Sequence, residues 1–131
     1  MPKSKSKRGR LTAHNVILEQ HELTTITFFL EHGKNIELIP PSLTPKSKTP
    51  DFIMDGIAWE MKSPQGKSII TIERALHRGA RQSRHIILDL RRMKIPDTKM
   101  QTYVKRQFQL FRSIKKLKII LTSGKIIDLR K

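Results

Sequence analysis

The sequence predicts an α/β fold, a mixed β-sheet flanked by helices, with elements in the order α-β-ββ-α-β-α-ββ. Three observations carry that prediction. Asp55-Gly56 sits between two alternating stretches, Phe52–Met54 and Ile57–Met61, the sequence mark of a tight hairpin. The run H-I-I-L-D-L from His85 to Leu90 is nearly continuously apolar, as in a strand buried on both faces. Stretches with apolar residues at three- and four-residue spacing alternate with these strands, which is the pattern of a three-layer α/β arrangement.

Taken in order, Met1 to Arg10 reads M-P-K-S-K-S-K-R-G-R, a low-complexity basic segment. Residues 1–12 are expected to form a disordered basic tail and residues 13–131 the folded domain. From about Asn15 to His32, Ile17, Leu23, Ile26, Phe29 and Leu30 recur at helical spacing, and Gly33 suits the helix end. Glu19 and Glu22 project from the middle of this helix. Asn35 to Ile39 reads as a short strand. Pro40 to Pro50 contains four prolines and two lysines, so it is neither a helix nor a central strand. Lys46 and Lys48 of this loop can reach a substrate backbone.

The hairpin follows. If Met54 pairs with Ile57, then Phe52 pairs with Trp59 and Asp51 with Glu60. Phe52, Met54, Ile57, Trp59 and Met61 then form one apolar stripe, which is the core face. Asp51, Glu60 and Lys62 share the opposite, open face. Side chains directly opposite in a ladder lie roughly 4.5–5.5 Å apart, and like charges there repel. A bound cation would turn that repulsion into attraction. Asp55 is read as a turn residue at positive φ.

Ser63 to Gly66 is a loop, and Ile69 to about Arg84 a helix with Ile69, Ile72, Ala75, Leu76 and Ala80 inward. Arg74, Arg78 and Arg81 recur along one face and Arg84 extends the row. A row of like charges is either a solvated face or a track for phosphates, and the second reading is favoured here. Asp89 lies in the buried strand and is expected to be satisfied internally. A last helix runs from Pro96-Asp97 to about Lys116. Leu117–Leu121 and Lys125–Leu129 form a closing hairpin around Ser123-Gly124.

Composition narrows the function. The chain has 131 residues, 37% of them hydrophobic, enough for one domain with a core. It has no cysteine, which excludes disulfides and thiolate metal sites. Lys and Arg total 27 against 11 acidic residues, a formal charge of +16. That excess points to nucleic acid, with binding that weakens steeply in salt. An anionic membrane is the competing partner, but no basic helix with an apolar face stands out, and no window is long enough to span a bilayer. The five histidines lack paired metal-ligand spacing.

An acidic residue followed by Glu-x-Lys on the next strand is what metal-dependent phosphodiester hydrolysis requires. Asp51 and Glu60 offer hard oxygen ligands for a divalent cation, and Lys62 can stabilise charge growing on the phosphorane. P-D, eight residues, then E-M-K resembles the PD-(D/E)xK nuclease superfamily, which includes restriction endonucleases and Holliday-junction resolvases. Within it, the chain looks most like the C-terminal tRNA nuclease toxin domains of bacterial contact-dependent growth inhibition (CdiA-type) proteins. The residues behind this narrower resemblance are Glu22, T-P-D-F-I-M-D-G-I-A-W-E-M-K-S-P, Gln82-Ser83, and the closing K-I-I-L-T-S-G-K-I-I-D-L.

The resemblance implies a restriction-endonuclease-like fold and a Mg²⁺- or Mn²⁺-dependent endonuclease acting on tRNA. It implies a catalytic set of Asp51, Glu60, Lys62, Glu22 and Gln82, of which Asp51, Glu60 and Glu22 ligate the metal. Glu19 is the alternative to Glu22 if the helix register differs by a turn. Lys46, Lys48, Arg74, Arg78, Arg81 and Arg84 are the candidate nucleic-acid contacts. The resemblance further implies an immunity protein, for which an acidic surface would suit this charge. It places the site of action in the cytoplasm of a target cell, reached as part of a larger secreted toxin. The chain starts with its own methionine, so it is either an excised piece of such a toxin or a free-standing relative. Two other readings stay open: a DNA endonuclease of resolvase or restriction type, and a non-catalytic basic nucleic-acid-binding module.

Overall fold

The structure, a computed structural model, describes residues 7–13, 16–40 and 50–131. Its elements are β1 (Leu11–Thr12), α1 (Gln20–Glu31), β2 (Ile36–Leu38), β3 (Phe52–Met54), β4 (Ile57–Lys62), α2 (Ile69–Ala80), β5 (His85–Asp89), α3 (Asp97–Leu110), β6 (Lys116–Ile120) and β7 (Ile126–Arg130). Among the described residues this is a mixed α/β fold with seven strands and three helices, in the expected order apart from the added β1. The chain divides into two compact units, Met1–Ala58 and Trp59–Lys131.

In the first unit, β1 pairs parallel with β2, and β2 pairs antiparallel with β3. The buried face of α1 carries Ile26, Phe29 and Leu30, and the strands bury Ile36, Leu38, Phe52 and Met54. Gly33 ends α1 as its spacing predicts: it adopts φ +81, and its N–H donates to the Leu30 carbonyl at 3.0 Å. Leu11 and Thr12, assigned to the tail from sequence, are held in β1. The Gly9 N–H donates to Leu30 O at 2.8 Å, and the Ile36 N–H to Arg10 O at 2.8 Å.

Helix α1 is shorter than its apolar spacing suggests. It starts at Gln20, not near Asn15, and Ile17 is 96% exposed. Glu19 precedes it in an extended conformation, and the first helical bond runs from Leu23 N–H to Glu19 O at 3.0 Å. Asp55 (φ 55) and Gly56 (φ 74) both take left-handed conformations, as a type I′ turn between β3 and β4 requires.

In the second unit, β4, β5 and β6 are parallel and β7 closes antiparallel on β6. Parallel neighbours need crossover connections, and α2 and α3 supply them. β5 is the central strand, with Ile86, Ile87 and Leu88 fully buried. The i, i+3, i+4, i+7 set of α2 (Ile72, Ala75, Leu76 and Gly79) is buried. With Met100, Val104 and Phe108 of α3, these residues pack over Ile86, Leu88, Leu117 and Ile119.

Two helix ends differ from the sequence reading. α2 stops at Ala80 because the Gln82 and Ser83 N–H groups both turn back to Gly79 O, at 2.9 and 3.0 Å. Arg81 and Arg84 therefore lie beyond the helix, and only Arg74 and Arg78 are helical neighbours on it. α3 stops at Leu110, and Lys116, expected at its end, already pairs in β6.

Candidate active site

Glu60, Lys62 and Gln82 come together within the second unit. The Glu-Met-Lys triplet sits in extended backbone, so Glu60 and Lys62 project from the same face of β4. Their register partners on β5 are Ile86 and Leu88, both members of the cluster under α2 and α3. Gln82 lies in the turn between α2 and β5, held by its N–H bond to Gly79 O. The neighbouring Ser83 Oγ accepts the His85 N–H at 3.0 Å.

Lys62 Nζ is 3.1 Å from Glu60 Oε2 and donates to Gln82 Oε1 at 2.7 Å. The Glu60 side chain is 2% exposed and that of Lys62 19%. This corrects the expected open carboxylate face. Trp59, Glu60 and Met61 are all buried, so both faces of this part of β4 are covered. Strand parity correctly separates Glu60 and Lys62 from Trp59 and Met61. What it cannot show is that the crossover helices cover the Glu60 side.

A carboxylate taken out of water costs several kcal/mol unless it is paired, and a buried ion pair is a weak source of net stability. The ammonium between Glu60 and Gln82 is therefore better understood as a placed charge than as core packing. The loop that follows Lys62 is strapped by a residue the sequence reading missed. Arg92 Nε donates to Ser63 Oγ at 3.1 Å, its NH1 to Gln65 Oε1 at 3.2 Å and its NH2 to the Ser63 carbonyl at 2.5 Å. Nothing in the Arg91-Arg92 pair marks that role beyond its place at the end of an apolar strand. Asp89 is satisfied internally, as expected: it is 2% exposed, and Arg91 grips both of its oxygens at 2.7 and 2.9 Å.

Each of the other expected site residues has its own local setting. Asp51, in the first unit, is half-buried in a bend just before β3, and its carbonyl accepts the Ile39 N–H at 3.0 Å. It stands one residue before β3, where this bond continues the pairing of β2 with β3. Glu22 is the third residue of α1 and not a mid-helix residue. Its Oε1 accepts the Glu19 N–H at 2.9 Å, the return arm of a capping box. Arg74, Arg78, Arg81 and Arg84 are all exposed. Lys46 and Lys48 lie outside the described residues.

Among the described residues no three His, Asp or Glu side chains gather into a cluster able to hold a metal ion. The candidate donors are nonetheless all carboxylate oxygens in a chain without cysteine, which is the donor chemistry of a hard divalent cation.

The family model for the contact-dependent growth inhibition CdiA C-terminal domain matches residues 48–126, which include Asp51, Glu60, Lys62 and Gln82. The chain belongs to the CdiA C-terminal domain family. Among solved structures, the CdiA-CT/CdiI toxin and immunity complex from Burkholderia pseudomallei is similar, with a TM-score of 0.70 and 14% identity. The match covers 94% of this chain and 100% of that one, and it concerns the fold. No curated protein matches in sequence. As a CdiA C-terminal domain, the chain is a contact-dependent growth inhibition toxin domain. Among the described residues, no helix is long and apolar enough to cross a membrane.

Proposed function

We propose that this toxin domain is a nuclease of the PD-(D/E)xK type that hydrolyses phosphodiester bonds in RNA, with tRNA as its substrate. The observation that carries the reading is the Lys62 ammonium held between buried Glu60 and Gln82. A pre-placed cation of this kind stabilises charge that develops on a phosphoryl oxygen, and does so most strongly where water is thin. Gln82 fixes the Lys62 side chain, and Glu60 aims it. Arg74 and Arg78 on α2, with Arg81 and Arg84 beyond it, hold the substrate backbone without reading its bases.

Glu60 and Asp51 would hold a Mg²⁺ or Mn²⁺ ion. When bound, that ion polarises the phosphoryl oxygen and acidifies an attacking water. Glu22, the third residue of α1, is the weaker candidate for a third ligand.

The similar solved structure is of a toxin and immunity complex, and we extend that arrangement to this chain. An acidic immunity protein would complement the formal charge of +16. Its site of action would be the cytoplasm of a target cell, reached as part of a larger secreted protein.

The test is cleavage of tRNA and duplex DNA side by side, with Mg²⁺ or Mn²⁺ and with chelator, for the wild type and Glu60→Gln. Metal-dependent tRNA cleavage that Glu60→Gln abolishes is the expected result. Preferential two-strand DNA cutting would move the domain to the resolvase or restriction type. Salt-sensitive binding without turnover would make it a binding module. Full activity in Glu60→Gln would falsify the site.

A further inference from the structure

A second basic surface forms at the edge of the second unit where β6 begins and β7 ends. Lys116 and Arg130 are direct partners in the antiparallel β6–β7 ladder, where like charges repel. The Lys115 and Lys116 N–H groups both donate to the Arg84 carbonyl, at 2.8 and 3.3 Å, and the Lys131 N–H donates to Lys115 O at 3.0 Å. Backbone bonds thus gather cations from three separate stretches of chain. Residues 81–85, 112–118 and 129–131 contain no Asp or Glu. The nearest acid along β7, Asp128, is taken up by Lys118 at 2.6 Å. Lys131 is pushed below its usual range by burial first and then by the neighbouring charge of Lys115.

We propose that Arg84, Lys115, Lys116, Arg130 and Lys131 form a phosphate-binding strip that anchors the backbone of structured RNA outside the catalytic group. The inference deepens the nuclease reading by giving its substrate a second hold, continuous through Arg84 with the arginines at the end of α2. Nucleic acid suits the strip better than a protein does. Protein interfaces centre on apolar or aromatic anchors. Here Arg84, Arg112, Ser113, Lys115, Arg130 and Lys131 are exposed, and none offers such an anchor.

The experiment is the salt dependence of binding of fluorescein-labelled tRNA, read by anisotropy in chelator so that cleavage plays no part. Each phosphate contact contributes about 0.7–0.9 to the slope of log affinity against log salt. Lys115→Gln/Lys116→Gln/Arg130→Gln should lower the slope by about 2–3 and weaken binding at least about tenfold near 0.1 M salt. Lys115→Arg/Lys116→Arg should keep both at wild-type values. The triple variant should melt at or above the wild-type temperature, since it removes repulsion. An unchanged slope and affinity would overturn the strip. So would an unchanged tRNA slope with lost binding to poly-glutamate, which would assign the edge to an acidic protein. A failure of the nuclease reading is seen separately, as absence of cleavage with the slope change intact.

Discussion

Lys62 Nζ stands 3.1 Å from Glu60 Oε2, and the carboxylate it meets is 2% exposed. The two side chains therefore depend on each other. Removing the cation leaves a buried charge uncompensated, whereas removing both charges does not. Lys62→Met is expected to destabilise the domain by about 3 kcal/mol, the low end for a buried pair because Lys62 is partly exposed. Glu60→Gln/Lys62→Met should recover at least about 1 kcal/mol of that loss. Urea unfolding of the four species measures the coupling. Strict additivity would mean that the pair is not coupled.

Gln82 accepts a hydrogen bond from Lys62 at 2.7 Å and so helps to hold the ammonium that also meets the Glu60 carboxylate. Gln82→Ala should cost about 1 kcal/mol of stability, the typical worth of one such bond. If Gln82 orients Lys62 for chemistry, kcat should fall about tenfold, a loss of roughly 1.4 kcal/mol in the barrier, with KM little changed. Gln82→Glu keeps an acceptor oxygen and should restore the stability. A rise in KM alone would make Gln82 a substrate contact and not a positioning residue.

How much of this was legible in the sequence follows from how local each cause is. The Glu60-x-Lys62 spacing fixes a shared face through strand periodicity. Gln82 could be picked out only by its resemblance to a family pattern, yet it lands on Lys62. The Asp55-Gly56 turn is written in two residues. The burial of Glu60 was not legible, because parity names two faces without saying which one the crossover helices cover. Ile17 matched the helical spacing but lies outside the helix, since spacing alone does not place an N-terminus. The Lys116–Arg130 pairing arises only from the register of β6 with β7.

Glu22 offers a clean separation of roles. Its Oε1 accepts the Glu19 N–H at the start of α1, and a glutamine at the same position would do this equally well. Glu22→Gln is expected to change the melting temperature little, whereas Glu22→Ala should cost about 0.5–2 kcal/mol. A metal ligand behaves differently, since the neutral amide binds a hard cation poorly. If Mn²⁺ raises the melting temperature of the wild type and Glu22→Gln abolishes that rise, Glu22 is a ligand as well as a cap. If the rise survives in Glu22→Gln but vanishes in Asp51→Ala, the metal rests on Asp51 without Glu22.

Asp97 ties the start of α3 to the β6–β7 turn. Its Oδ1 accepts the Thr122 N–H at 3.0 Å and the Thr122 hydroxyl at 2.6 Å, and its Oδ2 accepts the Ser123 N–H at 3.1 Å. Burial alone would raise its pKa, but these bonds to the ionised form outweigh burial and hold it below the ordinary carboxylate value of 3.8. A group whose folded pKa is depressed adds stability that is complete above its unfolded pKa and is lost as pH falls through the folded one. Asp97→Ala should therefore destabilise the domain by on the order of 1–2 kcal/mol at neutral pH, the worth of the lost bonds. The difference from wild type should shrink as the pH is taken well below 3.8. Urea midpoints at pH 7, 5, 4 and 3, values chosen at roughly unit steps around the carboxylate range, follow it. A gap that stays constant with pH would show that the carboxylate charge is not what holds the turn.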